Sequence, residues 1–126
     1  MALTPGMKGE ATTTVVYENT AASVGAGGVA VFGTPMMIAL MENAAWRAVA
    51  DALETGDVTV GTRVDIRHLA ATPLRQKVRA QAELIEVDGR RLVFQVEAYD
   101  EQQKIGEGQH ERFIVNLKRF MSRMKV

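Results

Sequence analysis

Three polar side chains have the types and spacing that chemistry would need. Thr34 stands near the head of the apolar run "FGTPMMIALMENAAWRAVADAL", and Glu42 lies eight residues farther on, in its middle. His68 closes the β-branched segment "VTVGTRVDIRH". A hydroxyl, a carboxylate and an imidazole are the inventory of acyl transfer: a group to attack, a base to take its proton and a charge to orient both. Glu42 raises the sharpest question. Met36, Met37, Ile38, Leu40, Met41, Ala44, Ala45 and Trp46 leave it almost no polar face. An ionised carboxylate buried there alone is costly, so Glu42 must be paired, neutral or working. The local partner is poor, because Arg47 follows by five residues, off the spacing at which helical side chains meet.

Each of these residues also has an ordinary role. Thr34 before Pro35 makes a good helix start, with Thr as N-cap and Pro at the first helical position. Glu42 could pair with an arginine elsewhere in the chain, and His68 could be a satisfied core histidine. A second histidine, His110, sits in "GEGQHERFIV". There Glu111 and Arg112 read as a solvated charge pair, while Gly106 and Gly108 mark a bulge or a close backbone approach.

The elements that must position these groups follow from periodicity. "ATTTVVYEN" (Ala11 to Asn19) is rich in β-branched residues and reads as a strand. "TAASVGAGGVAVFG" is small and glycine-laden, a mobile loop. The helix runs from Thr34 to about Glu54 and stops at Gly56. Alternation then sets in. Val58, Val60, Val64, Ile66 and His68 share one face, toward the helix; Leu74, Val78, Ala80, Ala82 and Leu84 share the next. Asp88-Gly89 signals a hairpin, after which Leu92, Phe94, Val96 and Ala98 fall together. A turn near residues 101–104 leads to the last strand. Strand, long helix and four antiparallel strands make an α+β two-layer domain. The helix is apolar over more surface than one small sheet hides, which predicts a dimer.

Composition narrows the function. With 126 residues the chain is expected to form a single domain, 1–126. Lys plus Arg and Asp plus Glu both number 15, which argues against a protein built to coat nucleic acid. The absence of cysteine removes thiolate catalysis and disulfides, and two histidines without an HExxH pattern give no metal cage. No signal-peptide pattern precedes the first strand, and charges interrupt the helix, so a cytoplasmic protein without a membrane span is expected. The basic "NLKRFMSRMKV", with Lys118, Arg119, Arg123 and Lys125, serves solubility or meets the phosphates of a bulky ligand.

"FGTPMMIALMENAAWRAV", "VGTRVDIRHLAATP" and "GRRLVFQVEAYDEQQKIGEGQHERFIV" together resemble the fluoroacetyl-CoA thioesterase family of small dimeric hot-dog enzymes. The likeness covers residues 30–117. It implies a hot-dog fold, a long helix wrapped by a curved antiparallel sheet of about five strands. It implies a catalytic set matching Thr34, Glu42 and His68, a backbone contact to the thioester carbonyl near Gly61, and Arg112 at the edge of an acyl pocket. It implies no cofactor, coenzyme A being part of the substrate, and a homodimer, with pairing into tetramers left open. The segment ahead of Thr34 departs from the family's aromatic lid. Only Phe32 is aromatic there, so a short-chain acyl-CoA is expected rather than a fluorinated one. The competing class is a non-catalytic acyl-CoA-binding or sensing protein on the same fold. A hydratase would want a differently spaced His-Asp pair, which the sequence lacks.

Overall fold

The structure, a computed structural model, describes residues 2–124. Five strands form one antiparallel sheet in the order β1-β3-β4-β5-β2: β1 Lys8–Thr14, β2 Asp57–His68, β3 Lys77–Asp88, β4 Arg91–Tyr99 and β5 Lys104–Asn116. The long helix, α2 (Thr34–Val49), lies in the sheet's hollow. Two short helices, α1 (Ala21–Val24) and α3 (Leu117–Ser122), flank these elements. This is the hot-dog arrangement. Among the described residues no helix is long and apolar enough to cross a membrane.

The alternating runs place the core where expected. Val78, Ala80, Ala82 and Leu84 of β3 meet Leu92, Phe94, Val96 and Ala98 of β4, all buried. Leu74 falls outside β3 and is exposed. Asp88 pairs with Arg91 across the tight turn of Gly89 and Arg90, where Gly89 supplies the positive φ. The next turn is held by Asp100, whose Oδ1 accepts the amides of Gln102 and Gln103.

Helix α2 faces mainly β1 and β3, burying Met37, Met41, Ala44, Ala45 and Val49. Trp46, on another side of the helix, is 43% exposed. β2 stands at one edge of the sheet, its outer side unpaired among the described residues.

Four local expectations need correction. The first strand ends at Thr14, because Asn19 takes the backbone amide of Val16 and donates to the carbonyl of Thr14, folding Tyr17–Asn19 into a 3-10 turn. Helix α2 gives way to a 3-10 turn at Ala50–Ala52, before Gly56. The glycine-laden segment is not a bare loop. Thr20 caps α1, Gly25 ends it with a positive φ, and Ala21 and Ala22 donate back to Val31 and Val29, making a flap bonded to itself. The fourth correction concerns β2. A bulge between Gly61 and Arg63 inserts one residue opposite β5, and one extra residue reverses every side chain before it. Val64, Ile66 and His68 face the hollow as expected, but Thr59 and Gly61 replace Val58 and Val60 there.

Candidate active site

The first polar station forms where the head of α2 meets the end of β2. Thr34 is not the helix cap. Gly33 holds that position with extended backbone angles and no side-chain bond, so Thr34 is the first helical residue and Pro35 the second. A side chain on Gly33 would crowd Ala21, whose amide nitrogen lies 3.1 Å from where a Cβ would stand. With the cap filled by glycine, the Thr34 hydroxyl is free, and its Oγ1 lies 2.7 Å from Nδ1 of His68. Burial pushes the His68 imidazole below its ordinary value of 6.5, against the carbonyl of Ala70, which favours the protonated ring. The ring is thus biased toward the neutral form that can accept the Thr34 proton. Its Nε2 is buried and has no hydrogen-bond partner among the described residues.

The second station lies two turns down α2, where Glu42 meets the middle of β2 and β5. The carboxylate is 39% exposed, not enclosed as its apolar neighbours suggest. Its partner is remote in sequence: Oε2 lies 3.3 Å from Nη1 of Arg112 and 3.5 Å from Nε2 of His110. Arg47 turns instead to Asn43. Arg112 is buried and anchored on its far side, Nε donating to Oγ1 of Thr59 and Nη2 to the carbonyl of Thr59, each at 2.9 Å. Burial lowers the Arg112 pKa and Glu42 opposes that shift. Glu111 points the other way and pairs with Arg91 at 3.0 Å, so Glu111 and Arg112 are not a pair.

Gly61 belongs to this station. A Cβ there would run into Oε2 of Glu42 and come within 3.2 Å of His110. The glycine's bareness is what lets the carboxylate lie against the strand. Gly106 and Gly108 serve close approach of other kinds. A Cβ on Gly106 would strike the Met37 sulfur at 2.6 Å, and one on Gly108 the carbonyl of Asp65. Phe32 is buried in the core, 1% exposed, and lines with Met36 and Leu40 a hollow beside α2. Of the expected residues, Thr34 and His68 touch; Glu42, Gly61 and Arg112 form a separate group. Roughly 12 Å of helix axis divides Thr34 from Glu42.

His110 and Thr59 were not expected here. His110 and Arg112 are two residues apart on a strand and so share a face, a signal present in the sequence. Thr59 was hidden by the bulge in β2.

The surroundings of this geometry are familiar. A family model described as fluoroacetyl-CoA-specific thioesterase matches residues 15–118. A fluoroacetyl-CoA thioesterase of Streptantibioticus cattleyicolor is 43% identical over 95 residues, 75% of this chain and 68% of that one. The solved fluoroacetyl-CoA thioesterase FlK superposes with a TM-score of 0.91 at 35% identity, covering 98% of this chain and 96% of the other. A thioesterase superfamily member from Thermus thermophilus gives 0.87 at 30% identity, over 94% and 88% of the two chains. The chain belongs to the fluoroacetyl-CoA-specific thioesterase family, and with it to the thioester hydrolases of the hot-dog fold.

Proposed function

We propose that the protein hydrolyses short-chain acyl-CoA thioesters to the free acid and CoA, in the cytoplasm, as a homodimer whose sites draw on both copies. The observation that carries this reading is the Thr34–His68 hydrogen bond of 2.7 Å at the head of α2. In the scheme, the Thr34 hydroxyl attacks the thioester carbonyl and its proton passes to Nδ1 of His68. The thiolate leaves with that proton, and water then cleaves the acyl-threonine to restore the hydroxyl and release the acid. The positive end of the α2 dipole favours the negative charge that develops beside Thr34. Glu42 activates the water, while Gly61 and Arg112 hold it in place.

The dimer answers the distance between the two stations. Helix α2 and β2 run in opposite directions, so Thr34–His68 and Glu42–Gly61 face each other as two separate rungs. Two β2 edges pairing antiparallel about a two-fold axis near their middle bring one copy's first rung toward the other's second. This supplies a partner for the orphaned Nε2 of His68. It also covers the edge strand and the exposed Trp46. Related variants of FlK have been solved with fluoroacetate and CoA and with acetyl-CoA. In the present chain the flap offers Val24 and Val29 but no aromatic wall, which favours a small acyl group without selection for fluorine.

Release of CoA from a panel of acyl-CoAs, followed with a thiol reagent, tests the reaction. Binding without release would leave a sensor and end this reading. Mixing Thr34→Ala with Glu42→Gln tests the shared site. Each alone is expected to be inactive, and the mixture should regain about a quarter of wild-type activity, since half the dimers are mixed and each has one intact site. No recovery would place both residues in one protomer's site. Thr34→Ser keeping activity that Thr34→Ala loses supports attack by the hydroxyl. Equal activity in both would favour a second route, in which Glu42 itself attacks or activates water while Thr34 only binds.

A further inference from the structure

His110 plays no part in that scheme, yet it is the most enclosed ionisable side chain of the second station, 1% exposed. Its Nδ1 lies 2.8 Å from the carbonyl of Arg63, and a carbonyl only accepts, so Nδ1 carries a proton. Burial favours the neutral ring, and the positive charge of Arg112 acts in the same direction. The Arg63 carbonyl, Glu42 and Glu111 oppose them. The groups facing the ring are Glu42 from α2, Arg112 from β5, the Arg63 carbonyl from β2 and the Phe94 ring from β4. A neutral imidazole protonated on Nδ1 presents a bare Nε2, and Nη1 of Arg112 donates to it at 3.2 Å.

The same Nη1 donates to Oε2 of Glu42 at 3.3 Å. One nitrogen is thus divided between two acceptors, while Thr59 holds the other side of the guanidinium. Arginine and a carboxylate left to themselves favour a two-bond fork that occupies both oxygens. Here Arg112 reaches only one, and Oε1 of Glu42 makes no bond among the described residues.

We propose that His110 is a positioning residue for thioester hydrolysis: by taking one hydrogen of Arg112, it restrains the guanidinium to a single bond with Glu42 and keeps Oε1 free for the reacting water. The role rests on Glu42 acting in the reaction, as proposed above. His110→Phe keeps the ring's bulk without the acceptor, and His110→Gln restores an acceptor. The Phe variant is expected to lose about 10- to 100-fold in kcat, the scale of an orienting partner, with KM little changed. Its crystal structure should show Arg112 gripping both oxygens of Glu42. The Gln variant should recover most of kcat and the single bond. A Phe variant with wild-type kcat and an unaltered Arg112–Glu42 contact overturns the proposal, as does a Gln variant as slow as the Phe variant. Should His110→Phe prevent folding, His110→Leu takes its place. A wild-type protein that hydrolyses no acyl-CoA would refute the function itself. The variant's Arg112–Glu42 geometry then still decides whether His110 restrains the arginine.

Discussion

The two polar stations along α2 are built on opposite plans. At the first, one hydrogen bond joins Thr34 to His68, and the imidazole's other nitrogen has no partner among the described residues. At the second, Arg112 is fixed by Thr59, His110 and Glu42, and Gly61 is bare so that the carboxylate can lie against it. In the proposed reaction the sparse station supplies the attacking hydroxyl and the imidazole that takes its proton. The crowded one holds a charge in a set direction. A reacting hydroxyl needs room for substrate, whereas a partly buried carboxylate needs a counter-charge to be tolerable at all.

Gly61→Ala breaks the comparison most sharply. Its Cβ displaces chiefly the end of the Glu42 side chain and presses on the buried His110 ring at 3.2 Å, so thermal melting should fall only modestly while activity falls steeply. Moving the Glu42 carboxylate by about 1 Å should cost roughly 100-fold in kcat. A fully active Gly61→Ala enzyme would mean that the placement of Glu42 is irrelevant. Arg112→Met tests the crowded station through stability. Removing one partner of a buried pair costs about 3–5 kcal/mol; the partial exposure of Glu42 reduces this to about 2 kcal/mol, read by denaturant unfolding.

The sparse station is probed by pH. His68 and His110 both titrate below 6.5 in the folded protein, because burial disfavours the charged ring. The unfolded chain therefore takes up protons first on acidification. The stability linked to these rings is complete above pH 6.5 and lost as pH falls through the folded values. Melting temperature should decline across that window, and His110→Gln should lessen the decline. The acid limb of kcat/KM should likewise lie below 6.5, since the base must be neutral. The smallest effect is expected at Arg63. Its salt bridges are exposed and its carbonyl, not its side chain, serves His110. Arg63→Ala should change stability by less than about 0.5 kcal/mol and leave kcat intact.

Much of the frame was legible because it depends on periodicity. The alternation of Val78 to Leu84 and of Leu92 to Ala98 fixed the two central strands, and the turn at Gly89 fixed their register. The grouping of Thr34 with His68 came from the family resemblance, which set Glu42 beside them; the fold joins the first two and holds Glu42 apart with Arg112. What was not legible turns on single residues that leave no periodic trace. The bulge after Gly61 reversed half of β2, and no pattern of valines announces where one extra residue falls. The capping role went to Thr34 because threonine is the commoner cap, whereas the close pass of Ala21 selects Gly33. Glu42's partner lies seventy residues away, a distance at which only the folded sheet identifies Arg112.

The bare residue ahead of α2 has a consequence for engineering. Serine or asparagine there would ordinarily strengthen a helix start by only a few tenths of a kcal/mol over glycine. In this chain their Cβ would press on the Ala21 backbone, and their polar tips would compete for the hydroxyl that His68 holds. A screen for heat resistance would therefore gain little at residue 33. Gly28, whose surroundings are open and whose φ lies outside the positive range that side chains resist, is the safer place to stiffen the flap.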